Sequence, residues 1–179
     1  WVDLLSQTGS YQDYHISLKG GEKSTKYSVS FGYHDNKGVV KSSGYKRYSG
    51  LAWIDSKLSK SLRWGMRVSY TLQDVDRSPA AIGGTNTNAA IFLSPLLSKD
   101  DVWNKYGDSA TSGGVIFNNP LMSAEEVTSV ATKNATSFSP WLQYTIGKYV
   151  VAKTKFTYTY KNDFTGYYSP SYLPVAAAN

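Results

Sequence analysis

Residues 62 to 72 read Leu62-Arg63-Trp64-Gly65-Met66-Arg67-Val68-Ser69-Tyr70-Thr71-Leu72. Every even position carries a large apolar side chain and no odd one does. That is a period of two, which a pleated strand produces and a helix cannot, because a helix gathers its apolar residues every three or four positions. The same alternation recurs on both sides of this stretch. Tyr14, Ile16 and Leu18 oppose His15, Ser17 and Lys19, and Tyr27, Val29, Phe31 and Tyr33 oppose Lys26, Ser28, Ser30 and His34. Further on, Phe138, Pro140, Leu142, Tyr144 and Ile146 oppose Ser139, Trp141, Gln143 and Thr145, and Phe156, Tyr158 and Tyr160 oppose Lys155, Thr157, Thr159 and Lys161. Residues 45 to 55 are less regular: Tyr48, Ala52 and Ile54 fall on one side, Leu51 and Trp53 on the other. Both faces of that strand are expected to be partly covered.

Six strands are therefore expected, at 11–20, 25–35, 45–55, 61–74, 136–146 and 149–161, and the fold class is all-β. Their connections alternate in length. Residues 20–24, 56–60 and 147–148 are tight polar turns, whereas 36–44, 75–135 and the residues after Lys161 are longer. In an up-and-down antiparallel sheet, odd connections lie at one end and even ones at the other. One end is thus trimmed and the other elaborated, the asymmetry of a transmembrane β-barrel with short periplasmic turns and long outer loops. A soluble β-sandwich is the alternative that pattern alone leaves open.

Composition supports strands. Tyrosine outnumbers phenylalanine fifteen to six, and there are only two methionines in 179 residues, which suits half-wet pleated surfaces better than a helical bundle. The length allows one domain with a sizeable core, and the aromatic content argues against disorder. With no cysteine, neither a disulfide framework nor a cysteine-ligated zinc module is available. No apolar run approaches the roughly 20 residues of a spanning helix, which leaves a membrane barrel open because its strands need only about 9 to 11 residues each. Six strands cannot close a bacterial barrel in lipid, where about eight is the minimum, without exposing unpaired edge groups. On the barrel reading, the chain is expected to be an internal piece of a larger protein. Its start at Trp1, the absence of a signal peptide and its Ala176-Ala177-Ala178-Asn179 ending agree with that expectation.

Residues 9 to 75 carry a specific resemblance. The series Gly20-Gly21-Glu22-Lys23-Ser24-Thr25-Lys26-Tyr27, Ser30-Phe31-Gly32-Tyr33, Asn36-Lys37-Gly38-Val39-Val40 and Tyr45-Lys46-Arg47-Tyr48-Ser49-Gly50 resembles, in order and spacing, the barrels of SusC/RagA-like TonB-linked outer-membrane transporters. Asn119-Pro120-Leu121, Glu125-Glu126 and Thr132-Lys133-Asn134 resemble the family more weakly. Leu51 and Trp53 depart from it, standing where the family tends to have polar lumen-facing residues. The resemblance implies early-to-middle strands of a large barrel in a Bacteroidetes-type outer membrane. It also implies import of glycans or oligopeptides, energy coupling through TonB, and a SusD-like surface lipoprotein as lid. The plug domain and the TonB-contacting segment are absent from these residues. The runner-up function is a soluble β-sandwich carbohydrate-binding module with Trp103 or Trp141 as stacking platform.

Enzymatic signals are thin, and no enzyme, cofactor or metal is expected. No nucleophile elbow, phosphate loop or dinucleotide fingerprint occurs. Pairing Leu18 with Tyr27 across the first turn would put His15 opposite Ser30 and His34 four residues further, on the order of 13 Å away. Asp74 with Asp76, Asp100 with Asp101 and Glu125 with Glu126 read as rim charge or helix caps rather than catalytic or calcium-binding pairs. Ser98 with Asp101 and Ser123 with Glu126 have capping-box spacing and each predicts a short helix start, the first helix ending at Gly107.

Charge and function classes follow the same division. From Asp76 to Ala135 six acids face four bases, net −2, so the other residues carry the basic excess. On the barrel reading Leu62, Trp64, Met66, Val68, Tyr70 and Leu72 face lipid, and Arg63, Arg67, Lys153 and Lys155 face the lumen. Nucleic-acid binding is not expected, because bases and aromatics take opposite faces. The 75–135 loop is long enough to be functional, and Trp103, Tyr106, Phe117 and Asn118 are its candidate contacts to substrate or lid.

Overall fold

The computed structural model describes residues 2–77, 109–112, 115–118 and 120–170. A short helix, α1 (Val2–Leu5), precedes four long strands: β1 (Ser10–Gly21), β2 (Thr25–Lys37), β3 (Gly44–Lys57) and β4 (Leu62–Asp76). A small hairpin, β5 (Ser109–Ser112) with β6 (Val115–Asn118), and a helix, α2 (Pro120–Glu126), come next. The 19-residue β7 (Thr128–Ile146) then returns beside β4 and is followed by β8 (Val150–Lys155) and β9 (Tyr158–Tyr168), both paired with β7. Neighbours run antiparallel in the order β1-β2-β3-β4-β7-β8, an up-and-down sheet with sequence neighbours beside each other except where the β5–α2 segment intervenes.

Three sequence expectations need correcting. First, β1 and β2 pair as Leu18↔Val29, so His15 lies opposite Gly32, and His34 lies opposite Asp13, two residues along rather than four. The strand runs through Gly20 because the Tyr27 ring lies over it: a Cβ there would stand 2.5 Å from the phenolic oxygen. The slip is even, so every residue keeps its face.

Second, β7 begins at Thr128, not at residue 136. Its first turn of sequence, Thr128-Ser129-Val130-Ala131-Thr132-Lys133, lacks large alternating apolar residues, yet pairs with β4 out to Asp76. β2 through β4 likewise overrun their expected ends, which shortens the 36–44 connection to residues 38–43.

Third, the strand expected at 149–161 reaches Tyr168 and is interrupted at 156–157. Pro140 explains the interruption. The Phe156 amide donates to the Pro140 carbonyl at 3.0 Å, but proline has no N–H to return. Register continues unchanged across the gap, from Trp141↔Lys155 to Phe138↔Tyr158.

The register sorts side chains into two faces. On the apolar face lie rows such as Leu18-Val29-Ala52-Val68-Phe138-Tyr158 and Ile16-Phe31-Gly50-Tyr70-Thr136-Tyr160. Toward the long-loop end that face closes with a tyrosine row in which Tyr14 stacks on Tyr33 at 6.3 Å and Tyr33 meets Tyr48 at 5.0 Å. The next row outward is Gln12, Asp35, Lys46 and Asp74, where apolar character ends. No second sheet covers the apolar face among the described residues: Ile16 is 71% and Phe31 61% exposed. Among the described residues the buried hydrophobic ones are few: Leu5, Leu121, Ala124, Val127 and Ala131. The sizeable interior that the length allows is thus replaced by an open apolar sheet face, which removes the sandwich alternative.

Candidate functional site

The polar face carries the basic residues, and their distribution along the strands is uneven. Near the short-turn end one row reads Gly21-Lys26-Asp55-Gly65-Trp141-Lys155, flanked by Lys57-Arg63-Gln143-Lys153 on one side and Lys19-Ser28-Trp53-Arg67-Ser139-Thr157 on the other. Asp55 is the single acid in these three rows. Nearer the long loops, Arg47, Lys133 and Lys161 are offset by Asp13 and Asp163. The cationic excess is therefore concentrated toward one end of the face. Arg63, Arg67, Lys153 and Lys155 all belong to this basic end, opposite in pleat to Leu62, Trp64, Met66, Val68, Tyr70 and Leu72.

Two contacts organise the basic end. Arg63 forks onto Asp55 with Nε–Oδ1 and Nη2–Oδ2 distances of 2.7 Å each, a bidentate geometry that fixes the guanidinium plane. Trp141 lies against Gly65, where any Cβ would come within 2.7 Å of its Nε1, Cε2 and Cζ2 atoms. The indole is held half-buried with two cations over it: Lys153 Nζ stands 4.9 Å and Arg63 Cζ 5.7 Å from the ring. Leu51 and Trp53, both half-buried, also lie on this face.

Sequence reasoning missed the small aromatic–polar cluster at the other end. His34 Nδ1 sits 3.1 Å from Asp13 Oδ2, with the rings of Tyr11 and Tyr45 edge-on to the imidazole at 5.0 and 5.4 Å. The sheet brings these residues together from three strands, β1, β2 and β3, and the shifted first register hid the contact. Asp55 was not singled out either, because nothing in its local sequence marks it as the partner of Arg63.

At the long-loop end, α2 docks on the 38–43 turn and on α1. Ser42 Oγ donates to the Ala124 carbonyl at 2.7 Å, Lys41 Nζ approaches Glu125 Oε1 at 3.8 Å, and Leu5, Leu121 and Ala124 form a small apolar cluster. The helix starts at Pro120 and not at Ser123, which falls inside it; proline suits the first helical position because its missing N–H has no intrahelical partner there. Beside it a hollow of about 540 Å³ is lined by Gln7, Lys37, Tyr45, Asp76, Arg77 and Glu125, among others. Phe117 and Asn118 lie in β6, opposite Ala110 and Ser109. Trp103, Tyr106, the Ser98–Asp101 pair and Gly107 lie outside the described residues. Among the described residues no group of three or more His, Cys, Asp or Glu side chains is placed to hold a metal ion.

No protein-family model matches the sequence. The chain is similar to TonB-dependent receptor P26 of Formosa agariphila, 26% identical over 177 residues, which is 97% of this chain and 17% of that protein. It is also similar to TonB-dependent receptor SusC of Bacteroides thetaiotaomicron, 41% identical over 49 residues, 27% of this chain and 5% of the receptor. Among solved structures it aligns with the RagAB peptide importer in the "open-open" state, with a TM-score of 0.72 and 22% identity over 92% of this chain and 19% of that one. The "closed-closed" state gives 0.66 at 18% identity. The chain thus spans under a fifth of the length of the relatives it matches. Those proteins are TonB-dependent receptors and a peptide importer, and the seven antiparallel strands align to the importer's barrel.

Proposed function

From the premise that this chain is a stretch of a SusC/RagA-type TonB-dependent receptor of the Bacteroidetes outer membrane, we propose that it forms barrel wall and outer loops of a nutrient importer. The observation that carries this is the two-faced sheet. Leu62 to Leu72 spans ten residue steps, about 33 Å at 3.3 Å per residue. Tilting by the usual 35–45° reduces that to about 25 Å, the height of a barrel's apolar band. Leu62, Trp64, Met66, Val68, Tyr70 and Leu72 would face lipid, with Tyr14, Tyr33 and Tyr48 forming part of the outer aromatic girdle. Arg63, Arg67, Lys153 and Lys155 would line the lumen. The short turns would then be periplasmic, and the 38–43 and 77–127 connections extracellular.

The parent receptor would take up large nutrients, glycans or oligopeptides, with energy delivered through TonB and a SusD-like lipoprotein closing the mouth. The RagAB structures are of a peptide importer, which supports the two-component reading. The long connection, which carries the β5–β6 hairpin and α2, would be the part of this chain that meets the lid. Affinity purification of the full-length receptor from outer membranes tests this: a SusD-like lipoprotein should co-purify in stoichiometric amount. A receptor that purifies alone from membranes where such a lipoprotein is expressed would overturn the lid assignment.

A further inference from the structure

We propose that the apolar side of β1–β4 holds a site for a phosphorylated glycolipid of the outer leaflet. Its phosphate meets Lys37 and Lys46, its sugar hydroxyls meet Asp76, and an acyl chain lies in the gap over Gly50. The site rests on the barrel reading above and concerns the membrane-facing side of the sheet, which passage through the lumen does not touch.

Two hollows follow one another along the same strands. The first is apolar. In the row Ile16-Phe31-Gly50-Tyr70 a glycine replaces a side chain, opening a space of about 620 Å³ between Phe31 and Tyr70 and next to the tyrosines 14, 33 and 48. A Cβ at Gly50 would meet nothing closer than the Phe31 ring at 3.8 Å, so the space is not clearance that the backbone needs. Strands β2 and β4 are about 9.6 Å apart across β3, which leaves a slot about one side chain wide. An alkyl chain fits that width, whereas a helix about 10 Å across does not.

The second hollow is polar. Beyond the tyrosines come the rows Asp35-Lys46-Asp74 and Lys37-Gly44-Asp76, on the same side as Gly50 because every step is even. Lys37, Lys46, Asp76 and Arg77 line the hollow of about 540 Å³ beside α2; all four are exposed and make no ion pair among the described residues. The carboxylates beside Lys46 are engaged by hydroxyls instead, Asp35 by Tyr33 and Asp74 by Thr132, each at 2.9 Å. Lys37 and Lys46 are diagonal neighbours on adjoining strands, about 8 Å apart at Cα, so their ammonium groups can converge on one anion. Gly44, opposite Lys37, leaves the space between them open. Three cations beside an unpaired carboxylate suit a headgroup that brings phosphate and hydroxyl donors together. An ammonium headgroup would satisfy Asp76 but set a further positive charge among three. From Gly50 to Lys46 is four residues, about 13 Å, the step from the upper part of an acyl chain to its headgroup.

The test uses the full-length receptor in detergent micelles, titrated by native mass spectrometry with monophosphoryl lipid A, its dephosphorylated form, phosphatidylglycerol, phosphatidylethanolamine and inorganic phosphate. Monophosphoryl lipid A should bind tightest, and its affinity should fall about tenfold in Lys37→Gln/Lys46→Gln and also in Gly50→Leu, which fills the slot. The dephosphorylated form should bind more weakly, respond to Gly50→Leu and ignore the lysine pair. Both variants are scored for heat-modifiable migration, and the exposed lysine pair keeps the test open if Gly50→Leu does not assemble. Wild-type affinity for lipid A in the assembled variants would overturn the proposal. So would either phospholipid binding as tightly as lipid A with the same dependence on these residues, since the site would then not be one for a glycolipid. Inorganic phosphate that binds through the lysines and displaces lipid A, with no effect of Gly50→Leu, would reduce the feature to an anion site and overturn it too. A change of oligomeric state in Gly50→Leu with lipid binding unchanged would assign the face to a second copy of the receptor. Quencher accessibility at position 68 is measured in the same preparations. If that position is shielded from water while lipid binding ignores the variants, only the glycolipid site fails; if it is open to water, the barrel reading fails.

Discussion

The Trp141 indole rests directly on Gly65 of the neighbouring strand, at a separation that no side chain larger than hydrogen permits. The contact joins β4 to β7, the two strands that are neighbours in space although the β5–α2 segment separates them in sequence. Gly65→Ala should therefore tilt the indole off the sheet and lower the stability of the folded barrel by about 1 to 3 kcal/mol. Near-ultraviolet circular dichroism and the temperature of heat-modifiable migration would register it. Ser69→Ala, two rows along the same face, should change neither measurably, and equal behaviour of the two variants would contradict the contact.

Face assignment predicts an asymmetry between adjacent residues. Val68→Arg would put a charge in the middle of the apolar face and should cost about 2 to 4 kcal/mol, whereas Ser69→Arg on the polar face should be tolerated. Spin labels at the two positions should respond to a lipid-soluble and a water-soluble quencher respectively. Equal aqueous quenching at both would remove the barrel assignment.

Sidedness follows from the alternation of connection lengths. Protease added to whole cells should cut within residues 38–43 or 77–108 and spare Lys57, Lys60 and Lys148. Cleavage at the lysines in intact cells would invert the topology.

Deleting residues 98–118 should leave barrel assembly unaffected, because α2 and its docking contacts through Leu121, Ala124 and Ser42 remain. Lid association or uptake should weaken. Ordering a connection of this length costs about 1 to 2 kcal/mol of backbone entropy per residue, which needs compensating contacts that the rim can supply. Wild-type uptake and wild-type lid recovery after the deletion would show that the loop is dispensable.

How much of this was legible in the sequence depended on period-two contrast. Where large apolar residues alternate with polar ones, as in Leu62–Leu72, strand and face followed directly, whereas the function class came from the family resemblance of the motifs between Gly20 and Gly50. Where both neighbours are small or polar, as in Thr128–Lys133, the strand continued unannounced, because these residues lie about the Asp74 row and beyond it, where the apolar face ends and alternation has nothing to mark. Pairing between strands was less legible. The first hairpin slipped by two residues because Gly20 looks like a turn residue in isolation, and only the Tyr27 ring above it explains its place in a strand. The Arg63–Asp55 fork and the His34–Asp13 contact depend on register and have no local signature.

The uninterrupted register past Pro140 bears on how such a sequence can change over time. The chain crosses residues 156–157 without a complete pair of ladder bonds yet does not bulge, so Tyr158 and Tyr160 stay on the side of Phe138 and Leu142. One added or lost residue at this weakly tied point would exchange the two sides of everything downstream, turning Lys161 to the apolar face and Tyr160 to the polar one. Only an even change in length here would keep both sides as they are, a parity constraint that the connections at the rim do not carry.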